Sequence, residues 1–228
     1  MADHAKLTGN TPAKPRESAS GLSRLGPPLL AGAAIALAIV AYVQLIHPNI
    51  FPRNFGVVEE GSIYRAGRLT PGAVHRLVEQ HGIKTIVDLG AYDKDFTGER
   101  IAERTAKSLG VERRVFRLEG DGRGNPNAYV EALRIIADPA KQPVLVQCSA
   151  GSQRTSTCII LYRTIVQGKS REEVMTDAYL HGHDPKDNPH LAPYLDEWAP
   201  KIEAAYKAGQ GVLIEGRDKA EIVSPAKE

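Results

Sequence analysis

The distribution of hydrophobic and polar residues divides the chain into a polar tail, one long apolar stretch and an alternating body. Residues 1–24 are polar with few large apolar groups, so we expect them to be disordered. Residues 25–46 contain no formal charge. As a helix rising about 1.5 Å per residue they span roughly 33 Å. Because the hydrocarbon core of a bilayer is about 30 Å thick, this stretch is long enough to cross a membrane.

Three interpretations of the apolar stretch are open: an uncleaved anchor, a cleaved signal peptide and a buried helix of a soluble domain. A buried helix normally shows a polar face, and Gln44 is the only strongly polar residue here. A signal peptide needs a small-residue cleavage site after the apolar run, whereas the Ala-x-Ala triplets at 34–36 and 36–38 lie within it. The pattern therefore favours a single-pass anchor over residues 25–47, in the inner or plasma membrane.

The body of the chain alternates short segments rich in β-branched residues with segments whose apolar residues recur at helical spacing. The predicted strands cover 57–58, 63–64, 84–89, 111–118 and 143–147. The predicted helices cover 71–80, 99–109, 127–137, 155–166, a segment opened by a capping box at 170–173, and 191–208. This alternation predicts an α/β fold: a single domain over 54–208 with a central, mostly parallel sheet flanked by helices. Residues 209–228 are expected to form a flexible tail.

Composition narrows the classes of function. The chain has 42% hydrophobic and 25% charged residues, as a folded protein does, and two cysteines cannot form a disulfide-rich scaffold. The net charge of +2 resides in the first 27 residues, so the remainder is neutral. A neutral body argues against nucleic acid as a partner. The positive-inside rule favours a cytoplasmic tail, because four basic residues precede the apolar stretch.

The most informative stretch is 144–155, where an apolar strand ends at Cys148 and a helix begins after a loop of small and polar residues. Small residues let the backbone turn its N–H groups inward around an anion, and the following helix directs its positive end to the same point. Arg154 can bind two phosphate oxygens at once, and the field of the loop favours a thiolate at Cys148. The predicted phosphate-binding residues are Ser149, Ala150, Gly151, Ser152, Gln153 and Arg154.

Cys148, Gly151, Arg154 and Thr155 match the Cys-x2-Gly-x2-Arg-[Ser/Thr] signature, and the chain resembles the cysteine-dependent protein tyrosine and dual-specificity phosphatases over residues 54–200. Segments 54–67 and 116–121 are similar to the atypical dual-specificity branch of plants, fungi and bacteria. The resemblance implies that Cys148 forms a phosphocysteine, Arg154 binds the phosphate and Thr155 hydrogen-bonds the thiolate as the intermediate breaks down. It implies neither a cofactor nor a metal. The family usually has His before the nucleophile, where this chain has Gln147.

A general acid must protonate the leaving oxygen, and Asp121 is the residue we expect to do so. It lies in a glycine-flanked turn 27 residues before Cys148, and such a turn can close over a substrate. Glu119 is the second candidate, followed by Asp93 and Asp95. Arg123 could help to hold an anionic substrate.

Other polar residues are expected to have structural roles. Arg65 and Arg68 are expected to form ion pairs near the loop, and Cys158 to be a buried thiol on the helix after Cys148. Histidines 181, 183 and 190 lie in a polar loop that is more typical of a turn than of a metal site. An unpaired thiol suits a reducing compartment, so the side of the membrane on which the body lies stays open.

Together these features predict a membrane-anchored phosphomonoester hydrolase. Its expected partners are a phosphorylated protein or a small phosphorylated substrate, and the membrane through the N-terminal helix. Two alternatives remain: a phosphate-binding module with weak activity, and a phosphoinositide or phospholipid phosphatase. The sequence does not choose between these substrates.

Overall fold

The computed structural model describes residues 26–214, in which five short strands form one mixed sheet. The strands are β1 (Gly56–Glu59), β2 (Ile63–Ala66), β3 (Thr85–Asp88), β4 (Glu112–Val115) and β5 (Val144–Gln147). Their order is β1-β2-β5-β3-β4, with β1 antiparallel to β2 and every other neighbouring pair parallel. The predicted α/β fold with a mostly parallel sheet is confirmed. The predicted disordered tail over 1–24 and residues 215–228 of the predicted C-terminal tail lie outside the described residues.

Eight α-helices and two π-helical segments lie within residues 26–214. The helices are α1 (Gly26–Ala41), α2 (His47–Ile50), α3 (Pro71–His81), α4 (Phe96–Ser108), α5 (Pro126–Ala137), α6 (Gln153–Leu161), α7 (Arg171–Leu180) and α8 (Leu191–Lys207). The π-helical segments are Tyr42–Ile46, after α1, and Tyr162–Val166, after α6. Helix α4 begins before the predicted position 99, because the Asp95 side chain accepts a hydrogen bond from Gly98 N at 2.9 Å and caps the helix earlier.

The sheet separates two hydrophobic layers, and the central strand β5 contributes to both. Val144 and Val146 pack with residues of α5, α6 and α8, whereas Leu145 packs with residues of α3 and α4. Successive side chains of a strand point to opposite faces, so a strand buried on both faces is apolar throughout. This arrangement explains why the first three residues of β5, Val144 to Val146, are all apolar.

The described chain falls into two compact units that divide between Val43 and Gln44. One helical stretch, Leu29–Ile50, is long and apolar enough to cross a membrane, with a mean hydropathy of 2.4 and no buried residues in its most apolar window. An N-terminal signal sequence meets the same criteria. Whether the stretch is an anchor therefore remains a prediction.

Residues 209–214, which the sequence placed in the flexible tail, are held against α5. Val212 N donates to Asn127 Oδ1 at 2.5 Å, and Asn127 Nδ2 donates to the Val212 carbonyl at 3.1 Å. Arg134 Nη2 donates to the Gln210 carbonyl at 2.7 Å. The described chain is thus tied to the α/β unit as far as Val212.

Candidate active site

The candidate site lies at the carboxyl ends of the parallel strands β5, β3 and β4, where open α/β sheets place their ligands. Cys148 directly follows β5, and its side chain is almost completely buried. The loop after it leads into α6, whose residues are all buried. Gly151 N donates to Cys148 Sγ at 3.2 Å. A backbone N–H therefore points at the sulfur.

The carbonyl groups of residues 149–151 all accept hydrogen bonds from the segment around β2. The donors are, in order, Arg68 N at 3.1 Å, Asn54 Nδ2 at 2.9 Å and Arg65 Nη2 at 2.9 Å. Among the described residues, the N–H groups of Ser149, Ala150 and Ser152 have no hydrogen-bond acceptor. With the carbonyls bonded on one side, the loop offers its N–H groups to an anion.

Gly151 is required at its position by both conformation and space. Its φ is +73°, which disfavours side chains, and a Cβ there would lie 2.5 Å from Gly67 N. The loop and the residues after β2 therefore approach each other at backbone distance. This contact explains the matching glycine of the signature and the nearby Ala66–Gly67 pair.

Arg154 is nearly buried and is held along one edge of its guanidinium. Nη1 donates to the Gly90 carbonyl at 2.8 Å and to the Leu118 carbonyl at 3.3 Å, and it forms an ion pair with Asp93. Nε is buried and has no partner among the described residues. Anchoring through Nη1 leaves the opposite edge of the fork available for two oxygens of an anion. Asp93, third in the order of candidate acids, is engaged here in an ion pair.

Thr155 and Gln147, both singled out in the sequence, lie on either side of the loop. The Thr155 hydroxyl is buried and has no hydrogen-bond partner among residues 26–214. Gln147, immediately before the cysteine, donates through Nε2 to Asp88 Oδ2 at 2.9 Å. The same carboxylate accepts from Arg113 Nη2 at 2.7 Å, and both side chains of this ion pair are buried. Gln147 thus belongs to a buried polar chain beneath the nucleophile, not to the mouth of the site.

Asp121 lies in the turn between β4 and α5 and is paired with Arg123. Arg123 donates to it from Nε at 2.8 Å and from the backbone N at 3.1 Å. Burial raises the pKa of Asp121, but these hydrogen bonds and the positive charge of Arg123 bring it below its usual range. A Cβ on the adjacent Gly122 would lie 2.6 Å from Thr157 Oγ1, so the turn packs against α6. Glu119 is largely exposed.

Three side chains make contacts at the loop that were not predicted from sequence. Asn54 binds the Ala150 carbonyl, and Asp93 binds Arg154. His183 contacts Gln153 through its Nδ1, which lies 2.7 Å from Gln153 Oε1. Burial lowers the pKa of the His183 imidazole. These contacts join residues 30 to 96 positions apart, which no local pattern indicates. The only available signal was the family-like segment that begins at 54.

Two negative observations concern the described residues. Both cysteines are free, and burial raises the pKa of the Cys158 thiol to about 12, so this thiol is inert at neutral pH. No group of three or more His, Cys, Asp or Glu side chains within 26–214 is arranged to hold a metal ion.

Three features together define the protein tyrosine and dual-specificity phosphatase class. They are a mixed five-stranded sheet whose central strand ends at a cysteine, a loop whose carbonyl groups accept hydrogen bonds from the segment around β2, and a buried helix after that loop. A family described as a dual-specificity (DSP-PTPase) phosphatase fused to NAD+ kinase matches residues 43–190. The chain belongs to this family of phosphatase domains, which confirms the predicted resemblance. No curated protein matches the chain in sequence.

Solved structures support the same fold. The core catalytic domain of the PP-IP phosphatase SIW14 from S. cerevisiae, solved with citrate, is 22% identical at a TM-score of 0.53, covering 67% of this chain and 92% of that one. TpbA from P. aeruginosa is 20% identical at 0.55, covering 68% and 91%. PTPMT1 in complex with PI(5)P is 17% identical at 0.55, covering 66% and 97%. At these identities the similarity shows the fold.

Proposed function

We propose that this chain is a membrane-anchored phosphomonoester hydrolase that works through a phosphocysteine intermediate on Cys148. One observation carries the proposal. The carbonyl groups of 149–151 accept hydrogen bonds from the segment around β2, while Gly151 N donates to Cys148 Sγ at 3.2 Å. A loop of this polarity binds phosphate oxygens through its N–H groups. A thiolate at the base of that loop is then placed for attack on phosphorus.

In the first half-reaction the Cys148 thiolate attacks phosphorus in line with the leaving oxygen. An S–P bond forms as the P–O bond breaks, and Asp121 gives its proton to the leaving oxygen, so the product departs as a neutral alcohol. The free edge of Arg154 and the loop N–H groups hold the non-bridging oxygens. Two observations support this assignment. Arg154 Nε has no partner among the described residues, and the N–H groups of Ser149, Ala150 and Ser152 have no acceptor among them.

In the second half-reaction water attacks phosphorus, and the S–P bond breaks with its electron pair returning to sulfur. Inorganic phosphate is released, and the now ionised Asp121 takes a proton from the attacking water. We assign Thr155 the hydrogen bond that stabilises the departing thiolate. The assignment is supported by its buried hydroxyl, which has no partner within 26–214 and therefore has a proton to donate.

The acid role of Asp121 requires that its ion pair with Arg123 opens. A general acid must hold its proton at the working pH, whereas Arg123 keeps the pKa of this carboxyl low. An anionic substrate competes for the arginine, and its departure raises the pKa of Asp121. The packing of Gly122 against α6 supports a position of the turn close to the phosphate loop.

The membrane part of the proposal has separate support. The stretch Leu29–Ile50 has the length and hydropathy of a membrane span and has no buried residues in its most apolar window. The partner substrates are phosphorylated proteins or small phosphorylated molecules, with no requirement for nucleic acid. Among the structural neighbours, one is described as a PP-IP phosphatase and another was solved with PI(5)P. Phosphorylated inositol compounds are therefore included among the substrates to test.

The test is turnover of p-nitrophenyl phosphate by the full chain in detergent micelles. We expect Cys148→Ser to abolish turnover while vanadate or tungstate still binds, because the loop and Arg154 remain. Arg154→Lys should reduce both binding and rate, since an ammonium cannot make a two-pronged contact. The matched control is Cys158→Ala, which removes the other thiol and should retain activity. A phosphate-binding module with weak activity, the alternative, predicts equally low turnover for wild type and Cys148→Ser.

A further inference from the structure

The segment that joins the apolar helix to the α/β unit is very short. The candidate membrane span ends at Ile50, and Asn54, four residues later, donates through Nδ2 to the Ala150 carbonyl of the phosphate loop at 2.9 Å. Four residues reach at most about 14 Å even when fully extended. A residue that contacts the phosphate loop is therefore within about 14 Å of the last residue of the span.

Contacts on both sides fix residues 49–54, which include the last two residues of the candidate span and the four that follow it. Asn49 accepts a hydrogen bond from the Thr70 hydroxyl, and a Cβ on Gly72 would lie 2.5 Å from Asn49 Oδ1. Further along, the Arg53 carbonyl accepts from Gly67 N at 2.7 Å. A segment anchored at both ends does not behave as a flexible linker, so the phosphate loop stays close to the end of the span.

The side chains exposed along this edge are those of a membrane–water interface. Phe51 is 58% exposed, and Arg53 is exposed without a side-chain partner among the described residues. Arg68, whose backbone N binds the Ser149 carbonyl, has a half-exposed guanidinium that also pairs with Asp95 at 3.2 Å. Aromatic rings lie at headgroup level in bilayers, and arginine side chains are attracted to an anionic membrane surface.

We infer that the site works at the bilayer surface and that its substrate is a phosphomonoester carried by a lipid headgroup of the membrane that holds the anchor. This inference rests on the proposed function and names its substrate class. Water and the lipid phosphomonoester give the lipid alcohol and inorganic phosphate through the same two half-reactions. A short tether keeps bilayer phosphates at high effective concentration.

The experiment uses the full chain reconstituted in phosphatidylcholine vesicles that carry phosphatidic acid or a phosphatidylinositol monophosphate. Phosphate release is compared with that from a soluble phosphotyrosine peptide and from p-nitrophenyl phosphate. A rigid helical spacer of about 30 residues inserted after Ile46 lifts the unit by about 45 Å and leaves the charge-free stretch 25–46 intact. We expect the spacer to lower release from at least one lipid about tenfold or more, with p-nitrophenyl phosphate turnover unchanged.

A second variant tests the surface without changing the length of the chain. Phe51→Asp should lower lipid turnover several-fold, because it places a negative charge at headgroup level. The matched control is Leu213→Asp, the same change at a residue that is 86% exposed in the C-terminal segment tied to α5, and it should leave lipid turnover unchanged. Neither substitution removes a buried side chain, so both proteins should fold.

The outcomes separate this inference from the proposed function. Turnover of the peptide and p-nitrophenyl phosphate, with neither lipid hydrolysed, would overturn the inference and leave the phosphatase assignment intact. Lipid hydrolysis that neither the spacer nor Phe51→Asp reduces would also overturn it, because proximity to the bilayer would then have no effect. Absence of turnover with every substrate would contradict both.

Discussion

The buried ion pair between Arg65 and Asp177 provides a test of what holds the phosphate loop in place. Arg65 is completely buried, and its Nη2 donates to the Gly151 carbonyl and to Ser156 Oγ, each at 2.9 Å. Burial lowers the pKa of this guanidinium, and the charge of Asp177 opposes that shift. Asp177→Asn removes the opposing charge and leaves a buried cation whose remaining hydrogen-bond acceptors within residues 26–214 are neutral.

The magnitude follows from the burial of the two side chains. Breaking a buried ion pair by removing one partner costs about 3–5 kcal/mol. The Asp177 side chain is 16% exposed, so we expect the lower end, about 3 kcal/mol. For a chain of this size that lowers the melting temperature by about 6–12 °C. Because Arg65 also binds the Gly151 carbonyl, kcat/KM for p-nitrophenyl phosphate should fall as well.

The assay is thermal unfolding of the full chain in detergent micelles, followed by circular dichroism. The matched control is Asp196→Asn, whose partner Arg171 forms an ion pair on the surface. Exposed pairs contribute about 0–1 kcal/mol, so this variant should melt close to wild type. Equal melting temperatures for the two variants would refute the argument that Arg65 depends on Asp177.

Four further outcomes are expected. Asp121→Asn should slow alkyl phosphates about 10²-fold or more and p-nitrophenyl phosphate less, because a good leaving group needs little proton assistance; the same pattern in Glu119→Gln instead would move the acid to that residue. Arg123→Gln removes the cation that lowers the pKa of Asp121, so the acid stays protonated to higher pH and the alkaline limb of the pH–rate profile should shift upward; a downward shift would contradict the assignment. Gln147→His introduces a base next to Asp88 and should change the acidic limb of that profile; an identical profile would mean that this position does not act on the nucleophile. Removal of residues 1–47 should release a soluble, active domain, whereas isolation of a mature chain that begins near residue 40 would identify a signal peptide.

Much of the fold could be predicted from local sequence, because the signals involved are local. The apolar residues 144–146 indicated a strand that ends near Cys148. Ser170 and Glu173 marked the start of α7, where Ser170 Oγ accepts from Glu173 N at 3.3 Å. The phosphate-binding loop could be predicted because its chemistry depends on consecutive residues. Gly151 matches the glycine of the signature, and the structure supplies a reason for that glycine: its close approach to Gly67.

The surroundings of the loop could not be predicted, because they depend on side chains brought together by the fold. Asp93 was named from sequence only as a later candidate acid, and its ion pair with Arg154 depends on how the loop after β3 folds. His183 read as part of a polar loop, yet it contacts Gln153 in the first turn of α6. The hydrogen-bond partner of Asp121 could not be predicted either, since an arginine two residues away can face either the acid or a substrate.

The central claim is that phosphate passes through the sulfur of Cys148. The most direct measurement is acid quenching of the full chain during turnover of p-nitrophenyl phosphate, followed by mass spectrometry of the peptide that contains this residue. We predict one added phosphoryl group on Cys148, more abundant in Asp121→Asn because loss of the base slows hydrolysis of the intermediate. Steady turnover with no phosphoryl group on this cysteine, or with the group on another residue, would contradict the mechanism.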